Sequence, residues 1–424
     1  MIIKIKPSKL NGTVIAPPSK SDAHRAIICA ALSRGVCRVA PVAYSNDIKA
    51  TIACIRALGA RVECCESEVI VDGSGMFKVD KAVLDCGESG STLRFLIPVA
   101  AAGGVNSEFI GRGRLPERPI GVYLDALPKA GVEMDTSGGL PLKLGGVLNP
   151  GVFELDGNIS SQFISGLLFA LPLLDGDSEI VLTSPLESVG YIDMTVLCMN
   201  RFGVSVERTA RGWLVRGNQK YTPADYRIEG DWSQAAFFMT AAALSGEVTV
   251  QGVMKNSAQG DREISELLRR FGASVSQTND SVTVKGSDLK ATDIDARNIP
   301  DLVPILAVAA SFSEGKTRIM NAERLRIKES DRLKTTAEML SALGVSVEEK
   351  PDGLIIRGQS RLKSGLVQGY NDHRIVMAAS VAALRADGGV TITDGESINK
   401  SYPNYFEEYK RLGGIEDVDL RQQS

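Results

Sequence analysis

The chain has 424 residues, of which 44% are hydrophobic and 23% charged, and this ordinary globular composition excludes a disordered or fibrous protein. With 48 Lys and Arg against 51 Asp and Glu, the formal net charge of -3 gives no overall field that would attract nucleic acid or an anionic membrane. The length exceeds the usual span of one hydrophobic core and predicts two domains of roughly 200 residues each.

The amino terminus predicts a strand rather than a targeting segment. Residues 1–6 read Met-Ile-Ile-Lys-Ile-Lys and lack the apolar core of a signal peptide. The seven cysteines include no Cys-x-x-Cys pair, so neither a disulfide framework nor a zinc knuckle is indicated. Apolar runs such as 164–174 are too short to cross a bilayer. We therefore expect a soluble cytoplasmic protein with no membrane role.

A repeat of about 70 residues runs through the whole chain. A glycine that follows an amphipathic segment and precedes an alternating strand recurs at spacings of 72, 72, 69, 72 and 69 residues. This position, just after a helix, favours left-handed backbone. The six glycines are Gly59, Gly131, Gly203, Gly272, Gly344 and Gly413. In the second copy, Ile120, Leu124, Leu127 and Ala130 predict one continuous amphipathic helix.

Each repeat also contains a second helix that is apolar on nearly all sides, such as 237–244, and is therefore predicted to be buried. The six begin near Ser21, Gly90, Ser160, Asp231, Asp301 and Asp372. Ser and Asp are ordinary N-caps, which explains one polar residue per helix. Cations near these starts, such as Arg25, Arg94 and Arg374, interact unfavourably with the positive end of the helix dipole unless a bound anion neutralises them. The starts therefore predict sites for anionic substrates.

Several motifs near these starts have both a functional and a structural explanation. Lys20 and Arg25 suit a phosphate clamp but also fit a capped helix with solvated charges. The turn 87–94 lacks the Gly-Lys-Ser/Thr of a Walker loop. Its glycines suit a phosphate-binding turn, but they are equally explained by an ordinary structural turn. Segment 326–332 has two acids among three cations, which a surface salt-bridge lattice also explains. The two distant histidines give no metal-ligand spacing, so no metal site is predicted.

Taken together, the motifs resemble those of the 5-enolpyruvylshikimate-3-phosphate synthase (EPSP synthase) family. They follow the family's order at 19–21, 24–25, 114, 117–119, 160–163, 191–193, 299–301, 328–332, 371–374 and 400–406. The resemblance implies an α/β fold, a two-lobed inside-out α/β barrel of six repeated units, three per lobe. It implies a first lobe over residues 17–226, a second lobe formed by 1–16 with 227–424, and a cleft between them.

The resemblance also implies an activity. The enzyme would transfer the enolpyruvyl group of phosphoenolpyruvate to the 5-hydroxyl of shikimate 3-phosphate by addition and elimination, in the chorismate route to aromatic amino acids. Asp301 would be the base at the hydroxyl, Glu329 would exchange a proton at C3, and Lys20 would be an acid near the departing phosphate. No cofactor is implied, and we expect a monomer.

Binding residues follow from the matched motifs. Shikimate 3-phosphate is expected to bind Lys20, Ser21, Arg25, Ser160, Ser161, Gln162, Ser188, Asp301 and Lys328. Phosphoenolpyruvate is expected to bind Lys20, Gly90, Arg114, Gln162, Arg332, Arg374 and Lys400. The chain departs from the family pattern at Glu88 and Arg324, which both replace asparagine, so no contact is assigned to either.

Two other functions are alternatives to that of EPSP synthase, one with a different acceptor substrate and one without catalysis. The sister enolpyruvyl transferase that acts on UDP-N-acetylglucosamine would need a catalytic cysteine on its mobile loop, and segment 111–119 contains none. A non-catalytic clamp or RNA-end-binding protein would need a basic stripe, which the slightly acidic balance disfavours. Nucleic acid is therefore not an expected partner.

Overall fold

The structure, a computed structural model, describes residues 1–419 and divides the chain into two compact units. One unit is the continuous segment Pro18–Ile228, which we call the inserted unit. The other combines Met1–Pro17 with the chain from Glu229 onward, and we call it the split unit. Each has its own hydrophobic core.

Twelve α-helices occur in the described chain. In the inserted unit they are α1 (Lys20–Leu32), α2 (Asn46–Ala57), α3 (Gly90–Ala102), α4 (Gly121–Ala126), α5 (Ser161–Ala170) and α6 (Val189–Arg201). In the split unit they are α7 (Trp232–Ser245), α8 (Ile264–Arg270), α9 (Val303–Ser311), α10 (Arg332–Ala342), α11 (His373–Ala382) and α12 (Tyr405–Arg411). The odd-numbered helices are buried on nearly all sides and the even-numbered ones are partly exposed, which confirms the prediction. No helix within residues 1–419 is long and apolar enough to span a membrane.

The strands lie between these helices. The first two belong to the split unit: β1 (Ile2–Lys6) and β2 (Leu10–Ile15). Those of the inserted unit are β3 (Val36–Ala40), β4 (Arg61–Cys64), β5 (Val69–Asp72), β6 (Lys81–Asp85), β7 (Asn106–Ile110), β8 (Val132–Asp135), β9 (Leu142–Gly146), β10 (Val152–Leu155), β11 (Ser178–Leu182), β12 (Glu207–Thr209), β13 (Gly212–Val215) and β14 (Tyr226–Arg227). The split unit continues with β15 (Gly246–Gln251), β16 (Ser274–Gln277), β17 (Ser281–Lys285), β18 (Ile294–Asp295), β19 (Lys316–Met320), β20 (Ser346–Lys350), β21 (Gly353–Arg357), β22 (Gly365–Val367), β23 (Val390–Ile392) and β24 (Ile415–Asp419).

These strands form six four-stranded sheets in the described chain, three in each unit, and all share one pattern. In the order β6-β7-β9-β8, the first pair is parallel and the other two pairs are antiparallel. Buried helix α3 connects the parallel pair β6 and β7, a pairing that requires such a crossover. Helix α4 then leads to the β8–β9 hairpin. The prediction of six repeated α/β units is confirmed.

Three of the sheets are completed by distant parts of the chain. Strand β14, the last of the inserted unit, pairs with β3 near its beginning. The predicted amino-terminal strand is present as β1, which pairs with β23 and β24 near the other end of the chain. Strand β2 pairs with β15. The split unit is therefore assembled from both ends of the chain.

The repeat glycines end the partly exposed helices as predicted. All six have positive φ, between 78° and 106°, which confirms left-handed backbone at these positions. One prediction of helix length was wrong, because α4 ends at Ala126 and does not continue to Ala130. Pro128 has no backbone N–H to extend the helical hydrogen bonds, and a 3-10 turn over Pro128–Ala130 follows instead.

Candidate active site

Lys20, at the start of the first buried helix, is paired with an acid from the neighbouring helix. Its Nζ lies 2.8 Å from Oδ2 of Asp47, in the first turn of α2. Ser19 caps α1 by accepting a hydrogen bond from the backbone N–H of Asp22. The sequence predicted Lys20 but not its partner, because nothing in the spacing of either motif indicates that these two helix starts meet.

Arg25, one turn along α1, is buried among uncharged oxygens. Its Nε donates to Oγ1 of Thr195 at 2.8 Å, and its other nitrogens donate to the carbonyls of Tyr191 at 2.8 Å and Ser21 at 2.5 Å. Burial lowers the pKa of Arg25, and the carboxylate of Asp22 offsets part of that shift. The guanidinium therefore carries positive charge that these hydrogen bonds do not neutralise.

Gln162 joins the second and third buried helices. Its Oε1 accepts a hydrogen bond from Arg94 at 2.7 Å, and its Nε2 donates to Oγ of Ser91 at 2.9 Å. Arg94 also donates to the carbonyl of Pro119 at 3.0 Å. Ser160 caps α5 by accepting from the Gln162 N–H. The predicted motifs around residues 90, 118 and 160 are thus brought together within the inserted unit.

Arg118 is the loop arginine that lies against Gly90. A Cβ added to Gly90 would lie 2.6 Å from Nη1 of Arg118, whose side chain is buried. Arg114 is exposed, and its side chain has no hydrogen bond or ion pair within residues 1–419. The binding role of Arg114 stays a prediction, whereas Arg118 has a placement that the motif alone did not reveal.

Two further predicted serines lie buried at helix starts. Ser161 is the first residue of α5, and Ser188 immediately precedes α6. Ser188 has φ of 55°, an uncommon conformation for a residue other than glycine, and its side chain does not cap the helix. These placements are compatible with hydroxyl donors for a bound substrate.

Arg332 is the centre of a charged cluster in the split unit. Its Nε lies 2.8 Å from Oδ2 of Asp372, Nη1 lies 3.0 Å from Oδ1 of Asp301, and Nη2 lies 2.7 Å from Oε2 of Glu329. The Arg332 and Asp372 side chains are only 2% and 0% exposed. Burial opposes the charge, but the three carboxylates together raise the pKa of Arg332 above its ordinary value.

Two more cations converge on Asp301. Nη2 of Arg374 lies 3.0 Å from its Oδ2, and Nζ of Lys328 lies 3.9 Å from its Oδ1. Burial alone would raise the pKa of Asp301, but Arg374, Lys328 and Arg332 hold it well below its usual range. Burial lowers the pKa of Lys328 to about 8, against the attraction of Asp301 and Glu329. Asp301 is therefore an ionised carboxylate and a weak base in this arrangement.

Lys400 is held beside the start of α11. Its Nζ donates to the carbonyl of Asn371 at 2.6 Å, and the side chain is buried. Asp372 caps α11 by accepting from the Arg374 N–H and also accepts from the Ser330 hydroxyl at 2.9 Å. The sequence predicted Lys400 as a ligand but gave Asp372 only the role of a helix start.

The start of α7 has a buried carboxyl that the sequence motifs did not single out. Asp231 caps the helix, and the hydroxyl of Ser233 donates to Asp261, which is only 3% exposed. Burial, together with the charge of Asp301, raises the pKa of Asp261 to about 7, while Arg374 and the Ser233 hydrogen bond act in the opposite direction. This residue thus titrates near neutral pH.

The two units offer different chemistry at their helix starts. The inserted unit presents buried cations and hydroxyl or amide donors, which suit the binding of phosphate and carboxylate groups. The split unit combines cations with carboxylates that can exchange protons. Within residues 1–419, no group of three or more His, Cys, Asp and Glu side chains could hold a metal ion.

Known proteins resemble this chain over nearly its whole length. Residues 4–409 match the family model of EPSP synthase (3-phosphoshikimate 1-carboxyvinyltransferase). The 3-phosphoshikimate 1-carboxyvinyltransferase of Clostridium novyi is 45% identical over 98% of both chains, and that of Clostridioides difficile is 43% identical over 97% of both. A solved structure of EPSP synthase from Acinetobacter baumannii matches with a TM-score of 0.83 at 27% identity and covers 99% of each chain.

Proposed function

Because the chain belongs to the EPSP synthase family, we propose that its two sets of charged residues divide the family reaction between them. The enzyme transfers the enolpyruvyl group of phosphoenolpyruvate to shikimate 3-phosphate in the shikimate pathway of aromatic amino acid biosynthesis. Its six repeats form the inside-out α/β fold of that family. The observation that carries our residue assignments is the cluster in which Arg332 and Arg374 both contact Asp301.

Shikimate 3-phosphate carries a phosphate of about -1.5 to -2 and a carboxylate, so it needs several cations and hydroxyl donors. We assign its binding to Lys20, Ser21, Arg25, Ser160, Ser161, Gln162, Ser188, Asp301 and Lys328. Arg25 supports this assignment, because its hydrogen bonds to uncharged oxygens leave a buried positive charge that a bound anion would neutralise.

Phosphoenolpyruvate carries the same two kinds of anionic group. We assign its binding to Lys20, Gly90, Arg114, Gln162, Arg332, Arg374 and Lys400. The placement of Arg118 against Gly90 adds that arginine to the candidates. Because Gly90 begins α3, the backbone N–H groups of the first turn are also available to a phosphate oxygen.

The mechanism begins with a competition between anions for two arginines. Arg332 and Arg374 lower the pKa of Asp301 as long as they contact it. When the carboxylate of phosphoenolpyruvate engages the same guanidiniums, their stabilisation of the Asp301 anion weakens and its pKa rises. Asp301 then becomes a competent base that removes the proton of the 5-hydroxyl as this oxygen attacks C2.

The remaining proton transfers are assigned to Glu329 and Lys20. Glu329, whose Oε2 lies 2.7 Å from Nη2 of Arg332, gives a proton to C3 during addition and takes one back during elimination. Lys20 gives a proton to the bridging oxygen as phosphate leaves. The C2–O bond to phosphate breaks while the C2–C3 double bond re-forms, and the enolpyruvyl group is left on the former 5-hydroxyl oxygen of the acceptor.

Two conservative variants test these roles. Asp301→Asn and Glu329→Gln should each reduce kcat by about 100-fold or more, because a positioned acid or base contributes at least this factor. Phosphate release would be followed with phosphoenolpyruvate and shikimate 3-phosphate, and calorimetry would show that binding of shikimate 3-phosphate persists.

Asp387→Asn is the matched control, since Asp387 forms an exposed ion pair with Arg361 in the same unit. Near-normal turnover in both active-site variants would refute the assigned roles. Phosphate release with UDP-N-acetylglucosamine in place of shikimate 3-phosphate is not expected, and such release would contradict the assigned acceptor.

We also propose that the enzyme acts as a monomer in the cytoplasm. All seven cysteines are free thiols, which is typical of a reducing compartment. Each unit has its own hydrophobic core, so neither needs a second chain to bury apolar surface. Sedimentation of the purified protein would test the oligomeric state.

A further inference from the structure

A chain of hydrogen bonds links four buried side chains between α1 and the start of α3. Nδ1 of His24 lies 2.7 Å from Oγ1 of Thr51 in α2, which lies 2.7 Å from Oγ1 of Thr92 in α3. Thr92 donates to Oγ of Ser89 through its hydroxyl at 2.8 Å and its backbone N–H at 3.2 Å. None of the four residues is more than 1% exposed. We call this feature the His24 chain.

The hydroxyl protons fix the direction of the His24 chain. Thr92 donates its single hydroxyl proton to Ser89, so it must accept a hydrogen bond from Thr51. Thr51 then has no proton left for His24, which must itself donate through Nδ1. Burial, together with two neighbouring cations of α1, lowers the pKa of His24, so the imidazole is neutral.

This arrangement makes the other imidazole nitrogen of His24 a hydrogen-bond acceptor. Nε2 of His24 is buried and has no hydrogen-bond partner within residues 1–419. An unsatisfied buried acceptor costs free energy, and an apolar side chain would avoid that cost. The polar residue at position 24 therefore requires a reason beyond packing.

The far end of the His24 chain lies at the start of α3. Ser89 is the N-cap and accepts the Thr92 N–H, which anchors the first turn from two atoms of Thr92. The backbone N–H groups of Gly90 and Ser91 come first in the helix and are not needed by its internal hydrogen bonds. The direction in which these two groups point depends on how firmly the cap is held.

We propose that His24, Thr51 and Thr92 are positioning residues that hold the first turn of α3 for phosphoenolpyruvate. The proposal rests on the proposed function, in which phosphoenolpyruvate binds at Gly90. The His24 chain acts through α3 and touches no substrate. It ties this helix start to α1, the helix that carries Lys20 and Arg25. Loss of any one of the three side-chain hydrogen bonds loosens the same N-cap, Ser89, so the three bonds act as a unit.

Removal of single hydroxyl groups tests the His24 chain. Thr51→Val and Thr92→Val keep the shape of the side chain and should each raise the KM for phosphoenolpyruvate about five- to tenfold, the equivalent of one buried hydrogen bond. The KM for shikimate 3-phosphate and kcat should change less than about twofold, because the interaction lost is one of ground-state binding. The double variant should be no worse than either single variant, as expected for coupled sites.

Thr240→Val is the matched control. Thr240 is a buried threonine of α7 whose hydroxyl has no partner within residues 1–419, so its removal should leave both KM values unchanged. A merely structural role for the His24 chain predicts lower stability in Thr51→Val and Thr92→Val with unchanged KM values. Unchanged KM for phosphoenolpyruvate, or additive effects in the double variant, would overturn the proposal.

Gly90→Ala separates the proposal from the binding site on which it depends. A Cβ at this position must displace Arg118, so the KM for phosphoenolpyruvate should rise. If Gly90→Ala raises this KM and the valine variants do not, the site stands and the His24 chain is refuted. If the valine variants raise the KM for phosphoenolpyruvate and Gly90→Ala does not, phosphoenolpyruvate does not bind at α3. Both the binding site at Gly90 and the positioning role of the His24 chain are then refuted.

Nitrogen NMR of the imidazole gives an independent check on the direction of the His24 chain. The signal that disappears in His24→Leu should show a protonated Nδ1 and a bare Nε2 in the wild-type protein at neutral pH. A proton on Nε2 would reverse the direction of the hydrogen bonds and overturn the derivation.

Discussion

In the inserted unit the buried Arg25 donates hydrogen bonds to uncharged oxygens, whereas in the split unit the buried Arg332 contacts three carboxylates. A cation among uncharged oxygens gains free energy from any anion that reaches it. A cation among carboxylates gains only from an anion that competes with them. The inserted unit is therefore suited to hold a substrate, and the split unit is suited to respond to one by changing the proton affinity of its acids.

The largest difference between the units should appear in stability. Asp372→Asn removes the most deeply buried of the three carboxylates that contact Arg332 and should lower the free energy of unfolding of the split unit by about 1.5–3 kcal/mol, the value of hydrogen bonds between charged groups. The chain has one buried tryptophan in each unit, Trp213 and Trp232. In a Trp213→Phe background, urea unfolding followed by Trp232 fluorescence reports the split unit alone.

An exposed ion pair of the same unit provides the control for Asp372→Asn. Glu247 lies 3.6 Å from Lys285 and is 55% exposed, so Glu247→Gln should change the unfolding free energy by less than about 0.5 kcal/mol. Equal effects of the two variants would show that the buried cluster does not stabilise the split unit.

The corresponding change in the inserted unit should affect binding more than stability. Arg25→Met removes a buried charge that has no carboxylate hydrogen-bonded to it, so the unfolding free energy should change by less than about 1 kcal/mol. The KM for shikimate 3-phosphate should rise at least about tenfold, since a hydrogen bond to a charged group is worth roughly 1.5–3 kcal/mol. Trp213 fluorescence in a Trp232→Phe background gives the stability, and steady-state kinetics gives the KM. A loss of stability as large as that of Asp372→Asn would remove the contrast between the units.

The smallest expected effect is a pH dependence confined to the split unit. The pKa of Asp261, which faces Asp231, Asp301 and Arg374, is raised to about 7, so the folded protein holds a proton there that the unfolded chain has lost above about pH 4. This extra proton stabilises the folded state fully below about pH 4, and its contribution declines as the pH rises and is gone above about pH 7. The unfolding free energy of the wild type should therefore fall by about 1 kcal/mol relative to Asp261→Asn between pH 6 and 8. Urea unfolding at these two pH values measures it, and parallel pH profiles would contradict the assignment.

Most of the fold follows from features that each repeat encodes locally. The glycine after each partly exposed helix and the apolar composition of each buried helix are properties of short segments, so their 70-residue period predicts six repeats. The split of the second partly exposed helix at Pro128 also has a local cause, and it was missed because the apolar spacing continued across the proline. The pairing of β14 with β3 cannot be derived this way, since it joins segments almost 190 residues apart.

The candidate site likewise has features that short motifs encode and contacts that depend on how the chain packs. Residues at helix starts, such as Lys20, Gly90 and Arg374, are identified by their motifs. Their partners come from other helices or other repeats, since Asp47 lies in the second helix of the repeat that holds Lys20, and Asp261 lies in the repeat before that of Asp301. Which acid meets which cation depends on how the helices pack against each other. Single-sequence motifs carry no record of that packing.

The completion of two sheets by β1 and β2 has a consequence for the order in which the chain folds during synthesis. Every residue of the inserted unit has been made once the ribosome passes Ile228, so this unit can fold while its successor is still being translated. The first 15 residues, by contrast, stay unpaired for longer, since β2 can pair with β15 only after residue 246 has been made, and β1 can pair with β23 and β24 only after residues 390 and 415. The nascent chain therefore carries β1 unpaired, ahead of an already folded unit, from the completion of that unit until β23 and β24 have been made.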